Sequence, residues 1–190
     1  MQPFSHLEDQ IRECFGRVVY THKTHEKEAE ECSGKLATFK VAQIVITALT
    51  TSGAVGVLLV DEGWMKFATA GLALLSLLVS GYMKGFDPGA TAQKHRDAAS
   101  ALWNIRESYL SLLTDLRMNA VEPQAARERR DQLQAQLAAI HKGAPQTHGS
   151  AYGKAQKALQ HNEEYTFSEG EIDLFLPPTL RKGAEAKDRK

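Results

Sequence analysis

The sequence predicts an all-α membrane protein in which a two-helix transmembrane hairpin continues into a cytoplasmic antiparallel helical bundle. Two uncharged stretches, residues 41–60 and 67–83, sit a few residues apart in an otherwise polar chain. Seams of apolar residues at alternating gaps of four and three lead into the first stretch and away from the second. Basic residues gather at the two outer ends of the hairpin, while the connection carries only Lys66.

Residues 1–40 read as one long helix. Ile11, Phe15, Val18, His22, His25, Ala29, Cys32, Leu36 and Phe39 follow one another at unbroken gaps of four and three, a coiled-coil-like seam. Glu13, Arg17, Lys23, Glu26, Lys27, Glu30 and Glu31 occupy the other faces, so the helix is solvated outside the seam and needs a partner helix. Gly34 after Ser33 is the one place where the helix has freedom to bend before the membrane.

Residues 41–60, at about 1.5 Å rise per residue, match a hydrocarbon core of roughly 30 Å. Residues 61–66 form a short external loop in which the Trp64 indole suits a membrane interface. Residues 67–83 lie near the lower limit of about 17 for a span, and extend through Trp64 and Met65 or through a snorkelling Lys84. The alternative of two core helices in a soluble bundle calls for a polar face, and no Asp, Glu, Lys, Arg or His interrupts either run. About 40 hydrophilic residues precede the first span, so it is retained rather than cleaved as a secretory signal. Lys27, Lys35 and Lys40 before the hairpin, with Lys84, Lys94 and Arg96 after it, put both termini in the cytoplasm.

Residues 87–141 are expected to form a helical hairpin. Asp87 is an N-cap and Pro88 a first helical residue, and Ala98, Leu102, Ile105, Tyr109, Leu112 and Leu116 repeat the four-three seam. The two seams should pack antiparallel as a stalk. A further helix over 122–141 presents Ala126, Leu133, Leu137 and Ile140 inward and leaves Arg127, Glu128, Arg129 and Arg130 solvated. Within 142–182, Gly143-Ala144-Pro145 ends that helix, 146–150 is linker-like, and 152–161 suits a short helix. Ser168-Glu169-Gly170-Glu171 has capping-box spacing ahead of an apolar run stopped by Pro177-Pro178. Residues 183–190 are charged and expected to be disordered.

The formal net charge is zero, which leaves no basic field for nucleic acid. The two cysteines, Cys14 and Cys32, have no zinc-like spacing and lie on the side assigned to a reducing compartment. Phosphate-loop, dinucleotide, zinc-protease and nucleophile-elbow motifs do not occur, so neither catalysis nor a cofactor is expected.

The order of parts resembles a known family. Tyr20-Thr21-His22-Lys23-Thr24-His25 on a long first helix is followed by two close spans and Phe86-Asp87-Pro88. The chain then runs from Lys94-His95-Arg96-Asp97 to Arg106-Glu107-Ser108-Tyr109 and ends near Glu171-Ile172-Asp173-Leu174-Phe175-Leu176-Pro177. Together these are similar to the SLATT family, the SMODS- and SLOG-associating two-transmembrane effector domains. The resemblance implies a bacterial antiphage effector of the inner membrane, encoded beside a nucleotide-messenger synthase or another infection sensor. Such an effector forms pores or otherwise damages the membrane, in an abortive response that kills or arrests the infected cell.

Read from the residues alone, the hairpin offers several faces. Gln43, Thr47 and Thr50 share one side of the first span, and Ala48, Ser52 and Gly56 form a small-residue stripe at intervals of four. Thr69, Ala73, Ser76 and Ser80 make a comparable face on the second. These faces either pack helices together or line a conduit, and two helices cannot enclose one, so a pore requires a homo-oligomer in the lipid. A lumen of this lining lacks ionised rings and is poorly charge-selective. His22 and His25 occupy seam positions where apolar residues are expected, and three roles stay open for them: register, gating, or metal binding. Two function classes remain: a membrane-permeabilising effector activated by a nucleotide signal or a partner sensor, and a membrane-anchored adaptor or scaffold without pore activity.

Overall fold

A computed structural model describes residues 5–60, 62–168, 170–177 and 181–182. Six helices and no strand occur among the described residues: α1 Ser5–Leu59, α2 Gly63–Phe86, α3 Pro88–Arg117, α4 Pro123–Gly143, α5 Gly149–Gln160 and α6 Glu171–Phe175. The 183–190 tail, Asp61, Glu169 and Pro178 lie outside the described residues.

No proline stands between Pro3 and Pro88, and α1 runs unbroken for 55 residues, about 80 Å of rod. The helix is continuous through Gly34. Contacts on both sides of that point hold the helix: Arg96 donates to Ser33 Oγ before it, and after it Leu36 packs at Gly89 and the Phe39 and Tyr82 rings lie 5.0 Å apart.

Antiparallel to this rod run α2 and α3 in tandem, separated only by Asp87. Its backbone sits in the left-handed region at φ 34°, its N–H closes α2 on the Met83 carbonyl at 3.0 Å, and its carboxylate accepts from Ala90 N at 2.9 Å to open α3. One residue therefore serves as C-cap and N-cap, with Pro88 supplying the fixed φ of a first turn.

In the hairpin, Gln43, Ile46, Thr50, Gly53 and Val57 of α1 are half-buried. They face Met65, Thr69, Leu72, Ser76 and Val79 of α2, a three-four alternation on both helices. The approach is close at two glycines: a Cβ would stand 2.6 Å from Thr69 Oγ1 at Gly53 and 2.6 Å from Met65 Cε at Gly56, and at Gly53 all the neighbouring atoms belong to Thr69. Absence of a side chain there is what lets the backbones meet. The apolar windows of both helices are otherwise unburied, with Ile44, Leu58, Leu74 and Leu77 projecting outward. An apolar surface of this extent belongs in lipid, not water. The connection is shorter than the expected 61–66 loop, because Gly63 to Lys66 already form the first turn of α2. That turn brings α2 to 24 residues, about 36 Å and ample for a span.

Outside the membrane the α1 and α3 seams mesh as a stalk. Ile11, Val18, Leu102, Ile105 and Tyr109 are buried, and α4 lays Ala126 and Leu133 onto them. Arg130 Nη1 donates to Gln10 Oε1 at 2.6 Å at the far end. Gly149 and Ser150 belong to α5 rather than to a linker. The reason is packing: Ala151, Ala155 and Ala158 all bury against α1, and small side chains at that spacing admit close contact over the whole helix. Glu171 Oε2 accepts from Ser168 N and Oγ at 3.0 Å each, half of the capping-box exchange, ahead of a helix only five residues long.

Candidate functional site

Where the stalk seam reaches His22, its chemistry changes. Residues 22–25 and 28 are all buried although every one is polar or charged. α3 brings His95 and Arg106 to this level, and the chain on either side of α5 brings His148, Glu164 and Tyr165.

His25 and His95 form the inner pair. Their Nδ1 atoms lie 2.9 Å apart, with ring centroids 5.1 Å apart. One nitrogen must donate while the other accepts, so the pair carries at most one extra proton without repulsion. Burial lowers both imidazoles: His25 is pushed down to about 4, with His95 and His141 adding to the effect, and His95 is lowered despite the opposing Glu28 carboxylate. Glu28 itself accepts from His148 N and, at 3.0 Å, from His148 Nδ1. That contact ties the entry of α5 to α1.

His22 belongs to a second cluster built around Tyr165. The phenol donates to Glu26 Oε2 at 2.6 Å and lies 3.0 Å from His22 Nδ1. The two rings stack at 5.5 Å and 20°. Lys23 Nζ and the Arg106 guanidinium each stand 4.5 Å from the centre of the Tyr165 ring, within cation–π range. Lys23 also bridges Glu26 at 2.8 Å and Glu164, and Lys27 reaches Glu164 at 3.7 Å. Burial alone would lower the Lys23 ammonium, but its hydrogen bonds to the two carboxylates more than reverse this. Burial raises the Tyr165 phenol, and its bond to Glu26 raises it further. Desolvation lowers His22. At neutral pH the cluster thus holds a neutral phenol, a charged lysine and an uncharged His22.

Beside this cluster an open groove of about 710 Å³ runs toward the membrane between α1 and α3, past Ser33, Arg96, Ala99 and Trp103. Arg96 donates to Ser33 Oγ across it. The Trp103 indole is 48% exposed there.

The two seam histidines therefore have separate partners, His25 on α3 and His22 on the tail. Among the described residues no group of three His, Cys, Asp or Glu is placed to hold a metal ion. Cys14 and Cys32 are free and half-buried. In the membrane, Gln43, Thr50, Thr69 and Ser76 lie on the α1–α2 contact, where Gln43 Nε2 donates to Ser76 Oγ at 2.8 Å. Thr47, Ala48, Ser52, Ala73 and Ser80 face away from it, and Gly56 sits against Met65. Gly53, Glu28, Glu164 and Tyr165 carry no signal of their own in the sequence, and His95 and Arg106 stand out there only as parts of the family-like segment. Tyr165 follows two glutamates in a polar stretch that also holds Phe167, and nothing in the sequence tells which of the two aromatics is buried.

An unburied apolar hairpin continued by an extramembrane helical stalk defines the class: a two-span, all-α membrane protein. The chain belongs to the SMODS and SLOG-associating 2TM effector domain family 4, SLATT_4, whose family model matches residues 7–171. That match takes in both spans, the stalk and the Tyr165 cluster. No curated protein and no solved structure matches the chain. Membership makes it a membrane effector domain of the kind associated with SMODS and SLOG proteins.

Proposed function

We propose that the chain is a non-enzymatic antiphage effector of the bacterial inner membrane, with both termini cytoplasmic. It oligomerises and permeabilises that membrane when a nucleotide signal or a partner sensor acts on the stalk. The observation that carries this reading is the division of labour within the hairpin. Gln43, Thr50, Gly53, Thr69 and Ser76 are consumed in holding α1 to α2. Thr47, Ala48 and Ser52 on α1, with Ala73 and Ser80 on α2, remain on outward faces. Small and hydroxyl side chains on such faces suit contact between copies and a wet lining once several hairpins assemble. The lysines at the outer ends of the hairpin support the orientation.

The test is membrane potential and dye entry in cells expressing the chain with its genomic neighbours, with and without phage. Depolarisation on challenge is expected, along with its loss when Thr47 and Ser80 are both replaced by Leu, which leaves the internal α1–α2 contact intact. A membrane that stays sealed under challenge with the native chain would overturn the effector reading in favour of an anchored adaptor.

A further inference from the structure

We propose that the stalk carries a peptide-binding socket for an acidic–aromatic pair, and that Glu164-Tyr165 of the chain's own tail is a tethered, exchangeable ligand of that socket.

Five side chains form it: His22, Lys23, Glu26 and Lys27 of α1, and Arg106 of α3. Each part of the pair meets a matching group. The Glu164 carboxylate lies on the Lys23 and Lys27 ammoniums, the Tyr165 ring faces Lys23, Arg106 and the His22 imidazole, and the phenolic proton goes to Glu26. The socket therefore selects for a hydroxylated aromatic preceded by an acid. Phenylalanine would take away one of the two donors to Glu26 Oε2, leaving it only the Lys23 ammonium at 2.8 Å.

Besides these contacts, Glu164 N–H donates to the Ala158 carbonyl of α5 at 3.1 Å. Residues 161–164 and 166–168 are exposed on both sides of the half-buried Tyr165, and the turn into it passes through Glu163 at φ 51°. Lys23, by contrast, keeps only 6% of its side chain exposed. A buried cation with carboxylate and aromatic partners, filled by one residue of an otherwise solvated strap, is the arrangement of a site and its ligand. It differs from a packed core, where neighbouring residues of both elements share the burial.

The socket opens onto the groove past Ser33 and Trp103, which shares His22 and Glu26 as lining. A partner protein's segment bearing the same pair can thus lie along the groove and displace the tail by competing for Lys23 and Glu26. Taken with the effector reading, on which this last step rests, displacement is how a sensor protein would engage the stalk.

The experiment uses the full chain in detergent or nanodiscs and a fluorescent peptide of residues 160–168. A tether supplies its ligand at an effective concentration in the millimolar range, so the native chain competes against the peptide. Tyr165→Ala should bind it about tenfold or more tightly than the native chain. A peptide with Phe in place of Tyr165 should bind that variant about tenfold more weakly than the native peptide. Because Tyr165→Ala can loosen the stalk, Glu164→Gln is run beside it, and its weaker tether should also raise peptide affinity. Equal peptide affinity for the native chain and both variants, or no binding by a variant whose helicity is intact, would overturn the proposal. Binding is read on purified protein without any leakage assay, so its failure and a failure of the effector reading are separate results.

Discussion

The hairpin and the stalk use the same pair of chain segments in opposite ways. In the membrane α1 and α2 meet through missing side chains at Gly53 and Gly56 and a side-chain hydrogen bond from Gln43 to Ser76. In the stalk α1 and α3 meet through a conventional apolar seam, interrupted at a single level by buried histidines, a lysine and a glutamate. Lipid is as apolar as the helices and supplies no hydrophobic drive between them, so close approach has to hold them together there. Water supplies that drive to the stalk, which can then tolerate polar burial provided every group is paired. The stability of one region is thus geometric, and that of the other is solvent-driven and sensitive to charge.

Perturbing the stalk core should have the largest effect. Leu102 is fully buried, and Leu102→Ala should cost about 2–5 kcal/mol, read as lowered thermal stability of helicity while the hairpin contact persists. Acidification comes next. The His25 and His95 imidazoles titrate below their unfolded value in the folded stalk. As pH falls, the unfolded chain therefore takes up protons first. Stability is complete above about 6.5 and declines toward about 4, by up to about 1.4 kcal/mol per pH unit for each imidazole kept neutral. The groups facing the pair are His22, His141, Glu28 and His148. Unfolding midpoints at pH 7 and pH 5 should differ clearly in the native chain. His25→Leu with His95→Leu should shrink that difference to the part owed to His22, which burial also lowers, whereas the geometry of the hairpin predicts none.

Gly53→Val tests the opposite end of the comparison. The new side chain meets Thr69 and should destabilise the α1–α2 contact by about 1–3 kcal/mol, measured as a wider separation between spin labels on the outward faces. Gln43→Leu removes the hydrogen bond without changing the spacing, and a loss of about 0.6 kcal/mol is expected. A much larger loss at Gln43 than at Gly53 would reverse the assignment of which contact holds the hairpin.

What could be read in advance follows from periodicity. The absence of charge over 41–60 and 67–83, the seams through Ile11 and Leu102, and the cap at Asp87 are local patterns, and local patterns are what a sequence displays. The contact face of the first span was harder. Ala48 and Ser52 of one small-residue stripe face outward while its Gly56 reaches Met65, and Gly53 lies on a second stripe. Only the direction from which α2 approaches decides between them, because both have the spacing of a helix-contact face. His22 and His25 were visible as departures from the seam, but their partners, 143 and 70 positions away in the chain, follow no period. Tyr165 was less legible still, since its burial depends on a strap whose neighbours are exposed. Gly149 and Ser150 look like linker by composition and are drawn into α5 by the alanines that follow.

The joint at Asp87 gives the two strands of this architecture different mechanics. On one side stands a girder of 55 residues that crosses from stalk to bilayer without a pivot. On the other stands a two-piece arm articulated at one residue. Torque applied to α3 has two places to go: it turns the arm at its elbow, or it is carried whole into the bilayer by the girder. An input at the level of Tyr165 grips the girder through Glu26 and the arm through Arg106 at once, and so acts on the one coordinate in which the two can move apart.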